Sequence, residues 1–175
     1  FTNFYSDLAP YNYMINVLVT KDGFTDVSKI VFTPNATEDF DFDFDGRKMT
    51  NEGDKHNFFT LNNNGDLHFT VNALPNLYDD LVIPAKLLST TAGVYHFDFQ
   101  GISNIPPQFY TYIQDFNQSG NPIIPITNGY SFQANENTEY NFNILFKTKA
   151  QDNSGLENAE EKDRKSTRLN SSHAN

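Results

Sequence analysis

The chain has no cysteine and no tryptophan, only two methionines, and few basic residues: 12 Lys and Arg against 22 Asp and Glu in 175 residues. Without cysteine there is no disulfide, no thiolate metal ligand and no cysteine nucleophile. Stability must therefore come from burial alone. A domain of about 150 residues manages this by burying roughly 68–70% of the surface its unfolded chain exposes. The net charge of −10 argues against nucleic acid, whose phosphates need Lys and Arg. It argues equally against an anionic membrane surface. No apolar run approaches the roughly 18 residues of a membrane span. The G-x-S-x-G elbow, the G-x-G-x-x-G turn, the G-K-[ST] phosphate loop and H-E-x-x-H are all missing. No signal peptide is visible, and because the chain opens at Phe1 rather than Met, its N-terminus reads as that of a cut fragment.

What is abundant is aromatic. Phe contributes 17 residues and Tyr nine, and with Val, Ile and Thr they favour the pleated, half-buried surface of a sheet. Period-two alternation recurs along the chain. Tyr13, Ile15, Val17 and Val19 share one face of a first strand, and after a turn at Lys21-Asp22-Gly23 a second runs from Val27 to Thr33. Segments 58–62 and 67–72 flank Asn64-Gly65, a strong hairpin signal. Residues 81–83 predict a short strand that Pro84 ends or confines to an edge. Tyr95, Phe97 and Phe99 predict another, and 109–115 a further one. An edge strand at 123–126 carries Pro125 and is expected to form a hairpin with 130–134 through Asn128-Gly129. Tyr140, Phe142, Ile144 and Phe146 line one face of the last. About nine short strands without an amphipathic helix predict an all-β, antiparallel β-sandwich, Ig-like or jelly-roll-like. The domain is expected over 1–148, followed by an acidic, aperiodic linker at 149–162.

Two resemblances follow from particular residues. Asp163-Arg164-Lys165-Ser166-Thr167-Arg168-Leu169-Asn170-Ser171-Ser172-His173 resembles the in-frame translation of a sequencing adapter, so 163–175 reads as a non-native tail. Setting it aside makes the remaining chain more acidic by two charges, since Arg164, Lys165 and Arg168 leave with Asp163. The stretch Asn35-Ala36-Thr37-Glu38-Asp39-Phe40-Asp41, with Phe44-Asp45 and Lys48, resembles a β-sandwich module of large Bacteroidetes surface and secreted proteins. That module precedes the C-terminal sorting domain of the type IX secretion system. Leu67 to Pro75, Thr91-Ala92-Gly93-Val94-Tyr95, Tyr130 to Ala134 and Phe142 to Phe146 match the pattern in order. The resemblance implies a secreted or cell-surface location. It implies a non-catalytic connector between an upstream functional region of the same chain and a missing sorting domain. The alternative is an adhesion module for a glycan or a surface protein, with calcium as a candidate assistant. No nucleic acid and no membrane insertion are expected.

Three sets of residues are candidates for chemistry. Asp41, Asp43 and Asp45 with Gly46 and Glu52 match the carboxylate spacing of an EF-hand loop. Against calcium stand Lys48 at the position usually held by an aliphatic residue, Phe42 and Phe44 at usually polar positions, and the lack of flanking helices. The competing reading anchors the aromatics in the core and leaves the acids in solvent. Tyr110 and Tyr112 alternate on one strand and could offer rings to a sugar, or simply form an aromatic strand face. His56, His68 and His96 are dispersed and read as surface strand residues. The acids are numerous enough to include a glycosidase pair, whose spacing only the fold sets, but solvated surface is the simpler explanation. No catalytic centre and no bound cofactor are expected.

Overall fold

A computed structural model describes residues 13–127 and 129–149. Among them are eleven strands: β1 (Tyr13–Lys21), β2 (Phe24–Phe32), β3 (Gly46–Arg47), β4 (Asn57–Leu61), β5 (His68–Leu74), β6 (Leu81–Ser89), β7 (Gly93–Gln100), β8 (Phe109–Asp115), β9 (Ile123–Pro125), β10 (Tyr130–Ala134) and β11 (Thr138–Thr148). One 3-10 turn, Ile102–Asn104, is the helical element. The fold is all-β, as the alternation predicts.

All strands belong to one hydrogen-bonded sheet in the order β10-β7-β1-β2-β5-β4-β6-β11-β8-β9, with β3 added to β5. The sheet doubles over near β5 and β4, so that β10, β7, β1 and β2 face β6, β11 and β8 across one interior. Inward positions carry Ile15, Val17 and Val19 from β1, Tyr95, Phe97 and Phe99 from β7, and Tyr140, Phe142, Ile144 and Phe146 from β11. Rings meet across the gap: Phe97 with Phe142 at 5.1 Å between centroids, Phe32 with Phe146 at 5.5 Å and Phe132 with Tyr140 at 5.0 Å. Each fully buried Phe is worth about 1.5–3 kcal/mol of transfer free energy, and tilted or edge-on pairs add about 0.5–1.5 kcal/mol each. A smaller cluster of Val31, Ala36, Val71 and Ala73, with Met14 and Phe44 against it, forms behind β2 and β5.

Four features depart from the sequence expectation. The pairing is antiparallel throughout except between β2 and β5, which run parallel with Lys29 opposite Val71 and Phe32 opposite Leu74. A parallel neighbour needs a long crossover, and residues 33–67 supply it. Pro84 does not end its strand: β6 continues to Ser89 and lies between β4 and β11. Its pairing with β4 stops at Thr60 opposite Ala85, so no β4 residue stands where the proline lacks its N–H. The expected hairpin between β9 and β10 does not form. β9 pairs with β8 and β10 with β7, at opposite ends of the strand order. Gly129 enters β10 at φ 75° with its Cα so close to β7 that an added Cβ would lie 2.7 Å from the Phe97 carbonyl oxygen, while Asn128 lies outside the described residues. Finally, β3 has only two residues and no pattern to announce it.

The Asn64-Gly65 hairpin does form, joining β4 to β5 with Thr60 opposite Phe69. Only Gly65 takes a positive φ there. Asn62 closes the loop, its side-chain oxygen accepting the N–H groups of Asp66 and Leu67. Most of the expected linker (149–162) and the expected tail (163–175) lie outside the described residues.

β1 begins beside Phe32, whose ring is 6.5 Å from that of Tyr13, and β11 closes beside the same residue through Phe146. Entry to and exit from the described fold are therefore at one end of the sandwich.

Candidate functional site

The long crossover from Thr33 to His56 brings Lys48 to a buried carboxylate of β2, Asp26. Asp26 sits at an inward position of β2, in step with Ser28, Ile30 and Phe32. Its carboxylate accepts both oxygens' worth of contact from the Lys48 ammonium, at 2.6 and 2.5 Å. It also accepts the N–H of Val27 and, at 2.7 Å, that of Phe58 on β4. Both side chains of the ion pair are under a tenth exposed. Removing two charges from water is costly unless the pair is closely matched and its remaining lone pairs are satisfied. Here four contacts meet one carboxylate and tie β2, β4 and the crossover together.

His56 lies next to this pair and is buried, not on the surface as its sequence setting suggests. Its Nε2 is 2.8 Å from the Val19 carbonyl, and its ring stands edge-on to Phe24 and Tyr95. Burial pushes its pKa down, and the charges of Lys48 and Lys21 act in the same direction. The Val19 contact and Asp26 oppose them without prevailing. The ring is held neutral and serves as a strut. The other two histidines among the described residues are exposed: His68 stacks on Phe59 at 4.1 Å, and His96 meets Ser131.

Further along the crossover, the calcium-loop residues do a different job from the one their spacing suggests. The Asp41 carboxylate accepts the Thr37 N–H. One oxygen of Asp45 accepts the Asp41 N–H at 2.8 Å and the other the Ala73 N–H at 2.7 Å. The Asp41 carbonyl in turn accepts the N–H groups of Phe44 and Asp45. Burial raises the Asp45 pKa, only partly offset by its two backbone donors, and the Asp41 charge adds to the rise. Asp43 and Glu52 are exposed. Two of the four candidates are thus committed to backbone N–H groups and two face solvent. Among the described residues no three His, Cys, Asp or Glu side chains gather as a metal-holding group.

The alternative reading, aromatics inward and acids outward, fails in part. Phe44 packs on the smaller apolar cluster and Phe40 stacks on Phe69 at 6.1 Å. Phe42 does neither: it is 88% exposed.

Tyr110 and Tyr112 share the outer face of β8 with centroids 6.4 Å apart and planes 62° from parallel. Tyr112 is buried, in register with Leu145 of β11 and Pro125 of β9. Only Tyr110 has ring surface to offer, and Lys149 Nζ sits 5.3 Å from its centroid. They do not make a flat two-ring platform. On the same outer face a shallow groove of about 270 Å³ has Leu145, Val82 and Ile123 as apolar lining and Gln114, Asp80 and Lys147 as polar lining.

A second buried carboxylate, like Asp26, is not among the candidates named from the sequence. Asp115, fully buried at the end of β8, accepts the Tyr130 hydroxyl at 2.5 Å, the Asn117 N–H and side-chain amide, and the Gln118 amide at 3.0 Å. Tyr130 opens β10 at one end of the strand order and Asp115 lies near the other, so this bond spans the seam of the folded sheet. Burial and the hydrogen bond and charge of Asp115 push the Tyr130 hydroxyl well above its usual pKa, Gln118 opposing. The available signal is the same for Asp26 and Asp115: an acid at an inward position of an otherwise apolar alternation.

No protein family, curated protein or solved structure matches this chain.

Proposed function

We propose that residues 13–149 form a non-catalytic connector module of a secreted or cell-surface protein, of the kind that precedes the sorting domain in type IX-secreted Bacteroidetes proteins. The observation that carries this reading is how the buried and half-buried carboxylates are spent. Asp26 joins Lys48 to two strands, Asp45 joins the crossover to β5, and Asp115 joins the ends of the folded sheet. Each acts as a staple between elements, which is the chemistry of a rigid body. The acidic surface keeps such a body soluble. Because entry and exit share one end, the module holds its neighbours side by side and separates them by its girth rather than its length.

The full chain, challenged with chymotrypsin, is expected to stay intact across 13–149, since most of the Phe and Tyr side chains that the protease needs are buried. On glycan arrays and on general esterase, peptidase and glycosidase substrates it is expected to show neither binding nor turnover. Rapid internal cleavage, or turnover by the purified chain, contradicts the reading. The second reading, an adhesion module, draws on the exposed Tyr110 ring beside the outer groove. Glycan binding that Tyr110→Ala abolishes would install it in place of the first.

A further inference from the structure

Exposed large apolar side chains are unremarkable when solitary on a flexible loop, but Phe42 is neither loosely held nor randomly surrounded. The turn from Asp41 to Asp45 is stitched by the Thr37, Asp41, Phe44, Asp45 and Ala73 N–H bonds described above. Its flanking aromatics are fixed: Phe40 lies between Phe69 and Arg47, whose guanidinium is 5.5 Å from the Phe40 centroid, and Phe44 packs inward. Phe42 is thereby carried outward on a rigid backbone. A second large apolar side chain of the same crossover, Met49, is 83% exposed. Side chains presented on a pre-ordered backbone lose little further freedom on binding, which is the property of an anchor.

The surroundings specify the partner. Between residues 38 and 54 there are seven acids, against Arg47 and Lys48. Arg47 is held over Phe40 and Lys48 is consumed by Asp26, so the field around Phe42 is negative. A pocket that accepts this ring must be apolar within and positive at its rim. Lysine and arginine supply both at once, with aliphatic stems to clasp the ring and cations to sit over its face. The Arg47–Phe40 contact is the same pairing made inside the molecule. A second copy of this chain, itself at −10, meets that requirement poorly.

We propose that the Asp41–Asp45 turn is a docking anchor that inserts Phe42 into a Lys/Arg-rich, apolar segment of a second protein. This goes beyond the connector reading and stands or falls separately from it. The test is to pan a phage-displayed library of random dodecapeptides on the full chain and to measure the enriched peptides as synthetic ligands. Expected are sequences combining Lys or Arg with Leu, Met or aromatic residues. Phe42→Ala is expected to weaken them about thirtyfold, the size of an interface hot spot, with an unchanged melting temperature. Phe42→Leu should retain most of the affinity, and Asp43→Asn or added salt should lower it several-fold. Three outcomes overturn the proposal. One is enriched peptides without the basic and apolar combination, or no enrichment at all. Another is binding to Phe42→Ala as tight as to the parent. The third is self-association in sedimentation that Phe42→Ala abolishes, which would assign the anchor to a second copy.

Discussion

Between the sheet halves Phe97 and Phe142 meet ring to ring at 5.1 Å, whereas at the fold-over Asp26 meets Lys48 and two backbone N–H groups. The first region is buried, aromatic and built from alternate residues of regular strands. The second is polar and built from one inward acid and a long irregular crossover. Apolar packing is non-directional: it makes two sheet faces adhere but says little about where the sheet should double over. Directional bonds at the joint supply that. The contrast teaches that in this molecule adhesion and alignment are carried by different residues in different places.

The contrast is sharpest where a single change leaves a charge stranded. Asp26→Ala is expected to cost the upper end of the roughly 3–5 kcal/mol typical of breaking a buried ion pair, because Lys48 and the Phe58 N–H both lose their partner. Urea unfolding gives the value. Changing Asp26 to Leu together with Lys48 to Met should recover a good part of it, and if the double variant is worse than the single one, the pair does more than compensate itself. Truncating the aromatic side of the comparison, Phe142→Ala is expected to cost about 4 kcal/mol through lost transfer energy and a cavity. A cost near zero in the same unfolding experiment would mean that the halves are not packed there.

At the joint, pH provides a gentler probe. His56 has a folded pKa below its unfolded value of about 6.5, so the native state favours the neutral ring. Its contribution is complete above about pH 6.5 and is lost as the pH falls from there toward the lower folded value. Melting temperature should therefore fall between neutral and mildly acidic pH, and His56→Gln should flatten that part of the profile. The Phe97–Phe142 contact involves no titratable group and should show no such dependence. The smallest effect belongs to the seam. Tyr130→Phe deletes the hydroxyl's bond to Asp115 and the one it accepts from the Gln118 amide, while three donors to Asp115 remain, with an expected loss of about 1 kcal/mol, measurable by thermal unfolding.

The legibility of these regions in the sequence follows the same division. β1, β7, β10 and most of β11 announce themselves because one face is buried and the other is not, and a period of two is the direct print of that asymmetry. β6 was obscured by Pro84, which is tolerated only because β4 peels away toward β5 one residue earlier, a tertiary fact. The parallel pairing of β2 with β5 and the separation of β9 from β10 are matters of strand order, on which alternation is silent. The charged candidates meet a related limit. The spacing of Asp41, Asp43 and Asp45 is shared by cation loops and by turns whose carboxylates bind backbone N–H groups, and the bond from the Ala73 N–H on β5 to Asp45 depends on tertiary placement. Asp26 and Asp115 were readable in principle, as acids in step with apolar neighbours, but their partners Lys48 and Tyr130 come from elsewhere in the chain.

The claim beneath all of this is that one sheet doubles over and closes on its own aromatic face. Two-dimensional NMR on the full chain tests it most directly, through contacts between ring protons of Phe97 and Phe142 and between those of Phe32 and Phe146. Strong cross-peaks for both pairs, alongside backbone contacts between Ile30 and Asn72 across the parallel strands, are the expected result. Rings of β11 that show contacts only to β6 and β8, with none to β7 or β2, would contradict it.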